Sequence, residues 1–417
     1  MRKVLLIAYH YPPIQVSSGV QRTLAISRYL RDHQWHPVVL TAHPRAYELT
    51  SSDQLQDIPE DVEVCRAFAL DTARHLSFRG RYSQWMALPD RWVSWVLGGF
   101  VSGLKLIRKH RPEVIWATYP IGTAFLIAVA LSKVTGIPWV ADFRDSMLDD
   151  SYPRDNWQRK AHRLIERWVV NSCRRAIFTT PSTLQLYKAR YPHIPDSRWL
   201  VIPNGYNEDI FSEVERARSN ADVFKGSERS GAVRLLHSGL VYVNERDPSH
   251  FFQALAELKN DGVLSKDRLI VVFRASGHES LYRSKAVELG IDDILEFRPS
   301  VGYRTAIAEM MSVDALLVLQ GKSCNHQVPA KIYEYFRIGK PVITLADDEG
   351  DTAREMLKAG FPDVCPLEDL GKIKMCLMDF ISSVETGVAP TMSASDARKF
   401  SRRHSTEMLA AIFNEIF

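Results

Sequence analysis

The chain has 417 residues, 46% hydrophobic and 24% charged, a length and balance that suit a soluble globular protein of two domains and exclude a fibrous or disordered one. Five scattered cysteines, Cys65, Cys173, Cys324, Cys365 and Cys376, include no pair at metal-ligand spacing, so they read as reduced cytosolic thiols rather than a disulfide frame. The net charge of +4 is unevenly spread: residues 1–205 hold 27 Lys and Arg against 17 Asp and Glu, a net of +10, and the remainder 26 against 32, a net of −6.

The chain starts with Met1-Arg2-Lys3 and a short apolar run that ends at once in Tyr9-His10-Tyr11-Pro12-Pro13. The run is too short for the core of a signal peptide and predicts a first β-strand over 4–9. Further strands are expected at 38–41, 114–117, 139–142, 176–179 and 200–202, with helices between them, including 19–33 and 97–110. The longest apolar stretch, 121–134, falls short of the roughly 20 residues that a membrane-spanning helix needs and predicts a buried helix. After Pro203-Asn204-Gly205, the polar stretch 208–230 reads as a linker or surface excursion. A second series follows, with strands at 234–237, 269–273, 294–297, 315–319 and 342–345, and helices near 248–260, 279–289, 302–311, 329–338 and 350–359. A last helix is expected over 394–417. Strands alternating with helices imply βαβ units. The expected fold class is therefore α/β with two doubly wound domains, residues 1–203 plus the last helix from about 398, and residues 204–397. Such sheets bind ligands at the carboxyl ends of their strands, and two of them leave a cleft between.

Four loops carry candidate chemistry. After the first strand, Tyr11-Pro12-Pro13 leads to Ser18-Gly19 at a helix start, where small residues let backbone N–H groups approach a phosphate. The loop is not G-x-G-x-x-G and lacks the distal acidic residue, which disfavours a dinucleotide. The segment Asp142-Phe143-Arg144-Asp145 clusters charges that are costly to bury unless used or paired. Asp142, Arg144 and Asp145 either hold acceptor hydroxyls or phosphate, or form an internal Arg–Asp pair that only shapes the loop. His237-Ser238-Gly239 opens the second domain's first loop, in which Gly239 allows close backbone approach. Arg246 in that loop either makes bidentate contact with a diphosphate or lies solvated beside a capping Asp247-Pro248. The run from Val328 to Ile343 reads as a helix that starts at Pro329, ends at Gly339 and enters a strand. Its first N–H groups, near Pro329, Ala330 and Lys331, form an anion site, and Glu334 lies one turn inside. That arrangement suits a sugar nucleotide, with diphosphate on the N–H groups and ribose on the carboxylate.

Together the loops resemble one family. The residues that carry the likeness are Pro12-Pro13 with Ser18-Gly19, Asp142-Phe143-Arg144-Asp145, Ile202-Pro203-Asn204-Gly205, His237-Ser238-Gly239, and Lys331-Ile332-Tyr333-Glu334-Tyr335 leading to Gly339-Lys340-Pro341-Val342-Ile343. Over nearly the whole chain they resemble GT-B glycosyltransferases of the retaining glycosyltransferase family 4 type. The resemblance implies two Rossmann-like domains facing a cleft, with the C-terminal helix crossing back to the first. It implies a nucleotide-diphosphate sugar held mainly by the second domain, Glu334 on the ribose, Arg246 on the diphosphate, and N–H groups near Gly19 on the phosphates. Asp142 or Asp145 would orient the acceptor hydroxyl, and no metal or cofactor is expected beyond the co-substrate. Eight positions before Glu334, where the family carries a second glutamate, stands His326. The family's lysine five or six residues after the loop arginine is also absent, a charge that Lys331 can supply. A nucleotide-sugar epimerase of the same fold and a non-catalytic sugar-nucleotide binding subunit are the rival readings.

Two tryptophan-rich segments bear on the acceptor. Trp85, Trp92 and Trp95 precede an apolar helix, and residues 154–175 interleave Trp157 and Trp168 with Arg159, Lys160, Arg163, Arg167, Arg174 and Arg175. The second segment suits either an interfacial helix on anionic lipid or a helix packed on the sheet with a solvated basic face. With the basic first half, the expectation is a cytoplasmic protein, peripheral on the inner membrane face, acting on a glycan or lipid-linked acceptor. Nucleic acid is disfavoured, because no nucleic-acid motif accompanies the charge.

Overall fold

The computed structural model describes every residue except 16, 17, 150, 151, 221–230, 244 and 417. The chain divides into two units, Met1–Asn204 with Arg402–Phe417, and Gly205–Ser401.

The first unit is built on β1 (Arg2–Ile7), β2 (Trp35–Ala42), β3 (Val64–Ala67), β4 (Val114–Thr118), β5 (Trp139–Phe143), β6 (Arg175–Phe178) and β7 (Trp199–Val201). They form a parallel sheet in the order β3-β2-β1-β4-β5-β6-β7. Alternate residues serve opposite faces, as a period of two requires. Leu5, Ile7, Ile115, Ala117, Trp139 and Ala141 enter one core cluster. Val4, Leu6, Val114, Trp116 and Val140 enter the other. Both faces are covered, which is why these strands read as continuous apolar runs rather than alternating ones. Phe125, Ile127, Ala128 and Leu131 of the helix Gly122–Thr135 fill the first cluster. The helices Ser18–Tyr29 and Arg402–Glu415 close the second face through Leu24, Ile26, Leu409, Ile412 and Phe413. Each fully buried aliphatic or aromatic side chain contributes roughly 1.5–3 kcal/mol.

The second unit repeats the plan with β8 (Val233–Ser238), β9 (Leu269–Arg274), β10 (Leu295–Arg298), β11 (Ala315–Gln320), β12 (Val342–Ala346) and β13 (Val364–Cys365). The order is β10-β9-β8-β11-β12-β13, again all parallel. The five cysteines are free thiols. Among the described residues no helix is long and apolar enough to cross a membrane.

The structure corrects the sequence reading in several places. The stretch from 208 is no linker at its start but the helix Glu208–Asn220; residues 221–230 lie outside the described ones. Its Ile210, Phe211 and Val214 are buried. Two of its glutamates are tied down by Arg337, whose Nε and Nη2 donate to Glu208 at 2.8 and 2.7 Å and whose Nη1 donates to Glu215 at 2.9 Å. The last helix is broken. A short helix Ala394–Ala397 and a 3-10 turn Arg398–Phe400 precede Ser401, which is extended and bridges to Tyr206. Only Arg402–Glu415 packs into the first unit, with Phe413 edge-on to Trp35 at 5.3 Å between centroids. The short strands β3 and β13 and the helix Leu370–Glu385 were not anticipated.

The helix Lys331–Ile338 ends at Gly339, which takes φ +68° and whose absent Cβ would lie 2.8 Å from the Met392 carbonyl oxygen. Gly360, just past another helix of the same unit, takes φ +88° with open space around it. Gly360→Ala should therefore cost only the left-handed strain, about 1–2 kcal/mol, whereas Gly339→Ala adds a backbone clash and should cost clearly more. Urea unfolding of both variants measures the difference; equal losses would refute the close approach.

Candidate functional site

In each sheet the strand order reverses once, between β1 and β4 and between β8 and β11. Open parallel sheets bind ligands at the carboxyl ends of strands beside such a reversal. The residues singled out from the sequence gather at these two places, one in each unit.

In the first unit, Arg22 of the helix Ser18–Tyr29 meets Asp142 at the end of β5. Nε and Nη2 donate to the two carboxylate oxygens at 3.0 and 2.9 Å, and Thr118 adds a bond at 3.0 Å. Arg22 also donates to the carbonyls of Ile202 and Pro203, at 3.2 and 2.9 Å. Asp142 is 0% exposed. Its carboxylate is thus consumed in holding strand, helix and chain exit together. The internal Arg–Asp pair weighed from the sequence is present, but its arginine is Arg22, not Arg144.

Arg144 is buried, and among the described residues no carboxylate is bonded to it. Its Nη1 donates to the Tyr119 carbonyl at 3.4 Å and its Nε makes no hydrogen bond. Burial is the main cause that lowers its pKa, with Arg22 also lowering it, against Asp145 and Asp142. Gly19 explains how the guanidinium fits. A Cβ there would lie 2.1 Å from Arg144 Nη1 and 2.9 Å from His10 Nδ1. The glycine thus brings a helix start, a buried arginine and a histidine together, as an anion would require. His10 was not picked out from the sequence. Burial, then the Arg144 charge, pushes its pKa down to about 3, so it presents a neutral ring. Ser18 opens the helix, but its side chain lies outside the described residues. Asp145 is half-buried and has no hydrogen bond among the described residues, which makes it the free carboxylate of the motif.

In the second unit, His237 at the end of β8 donates through Nδ1 to the Leu317 carbonyl at 3.0 Å. That bond fixes the tautomer and leaves Nε2 to accept from Lys331 Nζ at 3.1 Å. Burial, then the charges of Lys331 and Arg246, hold the imidazole well below its ordinary pKa. Burial, then Arg246, also hold Lys331 well below its own, against the pull of Glu334. Gly239, at φ +112°, leaves room for the lysine, since a Cβ would come 3.2 Å from Nζ. Arg246 donates from Nε to Gln320 at 3.2 Å and from Nη1 to the Leu240 carbonyl at 3.3 Å, and its guanidinium lies 5.3 Å from the Tyr242 ring centroid. Gln320, at the end of β11, is itself anchored to the Cys324 carbonyl at 3.3 Å.

The helix that carries Glu334 begins at Lys331, two residues after the expected Pro329. The bonds Ile332 N to Pro329 O and Tyr333 N to Ala330 O make a tight first turn, so the helix proper starts late. Glu334 is half-buried, and Tyr303 donates to it at 2.7 Å. His326 lies half-buried in the loop ahead of this helix. The loop is fastened by Asn325, whose Nδ2 donates to Asp347 at 2.8 Å, and by Thr352, which donates to the Gln327 carbonyl at 2.9 Å. The structure thus gathers His237, Gly239, Arg246, Lys331 and Glu334 at one sheet reversal. Tyr303 and Gln320 were missed, because their partners are 31 and 74 residues away. Among the described residues no three His, Cys, Asp or Glu side chains cluster as a metal-ligand set.

The two aspartates should separate cleanly on mutation. Asp142→Asn leaves the Arg22 charge buried and uncompensated, and should destabilise the first unit by about 3 kcal/mol or more in urea unfolding. Asp145→Asn breaks no hydrogen bond among the described residues and removes only a charge near Arg144, so it should cost clearly less than Asp142→Asn. The reverse ranking would overturn the assignment of Asp142 as structural.

Residues 18–205 match the glycosyl transferase 4-like domain. No curated protein sequence matches the chain. Among solved structures, sucrose-phosphate synthase from Thermosynechococcus elongatus is similar with a TM-score of 0.64 at 11% identity, over 100% of this chain and 99% of that one. Anabaena HepE in complex with UDP gives 0.65 at 14% identity, over 100% of both chains. UDP-GlcNAc 2-epimerase from Neisseria meningitidis, bound to UDP-GlcNAc, gives 0.57 at 12%, also over 100% of both. Likeness at such identities establishes the fold. The likeness to the glycosyl transferase 4-like domain thus covers residues 18–205, and the two parallel α/β units have the GT-B fold.

Proposed function

We propose that the chain transfers a sugar from a nucleotide-diphosphate sugar to an acceptor hydroxyl, with retention at the anomeric carbon. The observation that carries this reading is the meeting of Arg246, Lys331 and the start of Lys331–Ile338 with Glu334 at one sheet reversal. Cations and helix amides suit a departing diphosphate, and a carboxylate held by Tyr303 suits ribose hydroxyls. Anabaena HepE, similar in fold, is solved with UDP-glucose. In the first unit, Asp145 orients the acceptor hydroxyl, and Arg144 with the Gly19 helix start takes a negative group. The acceptor attacks the face that the leaving group vacates, and the departing phosphate oxygen accepts its proton. A glycan or lipid-linked acceptor at the inner membrane face belongs to this reading, supported by the basic first half.

The fold likeness to UDP-GlcNAc 2-epimerase gives a second reading, conversion of the donor sugar without transfer. Nucleotide release from UDP-sugars, with and without a polyprenyl-linked glycan acceptor, separates the two. Transfer requires release that depends on acceptor; donor isomerisation with acceptor absent would establish the epimerase. Glu334→Ala should lower kcat/KM about 10- to 100-fold, the value of a hydrogen bond to a charged group, with unfolding unchanged. Wild-type turnover in that variant would remove Glu334 from the donor site.

The His237–Lys331 contact adds a proton-linked prediction. A diphosphate beside Lys331 favours its charged form and raises a pKa that burial and Arg246 lower, so binding takes up a proton. Titration calorimetry with UDP at about pH 8, in buffers of different ionisation enthalpy, should show net uptake that Lys331→Met abolishes. Heats independent of buffer would refute it.

A further inference from the structure

We infer that the first unit carries a docking face for an anionic bilayer, assembled from two segments far apart in sequence. The first is the helix Asn156–Ser172. Trp157, Leu164 and Trp168 recur at helical spacing on its outer side and are 62%, 48% and 47% exposed. Beside this apolar stripe lies a pocket of about 590 Å³, lined by Arg159, Lys160, Arg163, Arg167, Arg190 and Tyr191 among others. The helix's own acidic residue, Glu166, is 0% exposed and already bonded to Arg190 and Tyr191, at 2.5 and 2.8 Å. Among the described residues Lys160, Arg163 and Arg167 have no acidic partner; the Lys160 ammonium lies 4.9 Å from the Trp157 ring centroid. The helix thus presents cations with no counter-charge of their own next to exposed indoles.

The second segment is the loop before the helix Trp95–His110. Phe78 and Arg81 pair across a two-residue turn whose central residues, Arg79 and Gly80, both take positive φ, 52° and 76°. That turn holds Phe78 out at 78% exposure, with the Arg79 guanidinium 5.6 Å from its ring centroid. Trp85 follows at 72%. Its neighbour Gln84 donates to Asp155, the residue that caps Asn156–Ser172, and Gln158 of that helix donates to the Pro89 carbonyl at 3.3 Å. The two segments are therefore fastened together, and Phe78, Trp85, Trp157, Leu164 and Trp168 belong to neighbouring elements bearing Arg79, Arg81, Lys160, Arg163 and Arg167.

Charge decides the occupant. A protein partner with an apolar groove has no need of so many unpaired cations, and a free phosphate has no need of exposed aromatic rings. A surface of phosphate headgroups over acyl chains needs both: cations for the headgroups, indole and phenyl rings for the boundary below. An exposed apolar cluster of this extent on a folded domain marks an interaction site.

Co-sedimentation of the full chain tests the assignment, with vesicles of pure phosphatidylcholine and of phosphatidylcholine with about 30% phosphatidylglycerol, at about 0.1 M salt. Binding is expected to the mixed vesicles and to be at least tenfold weaker to the pure ones. Arg163→Ser with Arg167→Ser should weaken binding roughly 10- to 30-fold. Phe78→Ser with Trp85→Ser, on exposed side chains that do not hold the fold, should weaken it about tenfold. Failure to bind either vesicle, or wild-type binding by both double variants, overturns the inference. Release by about 10 mM inorganic phosphate at constant ionic strength also overturns it and makes the pocket a soluble-anion site. Vesicle binding is read without donor or acceptor, so its failure leaves the proposed reaction untouched.

Discussion

The first unit depends on one buried ion pair. Arg22 and Asp142 join three parts of the chain that lie far apart in sequence: the first helix, the strand β5 and the exit through Ile202 and Pro203. A charge pair out of water is tolerable only when its remaining donors and acceptors are satisfied. Here Thr118 and the two exit carbonyls take up that remainder. The pair also releases Arg144. Because Asp142 is already bonded to Arg22, Arg144 stays buried with no carboxylate bonded to it among the described residues, beside Gly19 and His10. A structural bond in one place thus leaves a cation available to a ligand in another.

The second unit solves the same problem differently. Among the described residues its site has no buried Arg–Asp pair beneath it. Instead the basic groups are held through neutral partners, Gln320 for Arg246 and a neutral His237 for Lys331. Neutral partners orient a cation without cancelling its charge. Glu334 accepts a hydrogen bond from the Tyr303 hydroxyl.

The strands of both sheets were readable from apolar runs, because every central strand is buried on two faces. The short edge strands β3 and β13 lack that signal: Val64, Cys65 and Arg66 are only half-buried. Glu208–Asn220 escaped because its polar residues are spent on Arg337, a partner more than 120 residues away that no local pattern reveals. The helix start at Lys331 with Glu334 one turn inside was legible, because it is a local feature. The charged motif after β5 was legible as a cluster but not as an assignment. Which arginine pairs with Asp142 depends on a contact across 120 residues, and the sequence places Arg144 nearer. His10 was invisible for a related reason, since its weight comes from Gly19 and Arg144 crowding round it.

The bonds that Gln320, Tyr303 and His237 make have a thermodynamic side. Arg, Glu and Lys are among the side chains with most rotamer freedom to lose, and each that is first ordered by a ligand subtracts roughly 0.5–1.5 kcal/mol from affinity. In this protein folding itself has fixed Arg246, Glu334 and Lys331 in place. Under the proposed function, the conformational entropy of recognition is settled during folding rather than at the encounter, and a nucleotide diphosphate would meet side chains that are already held in place.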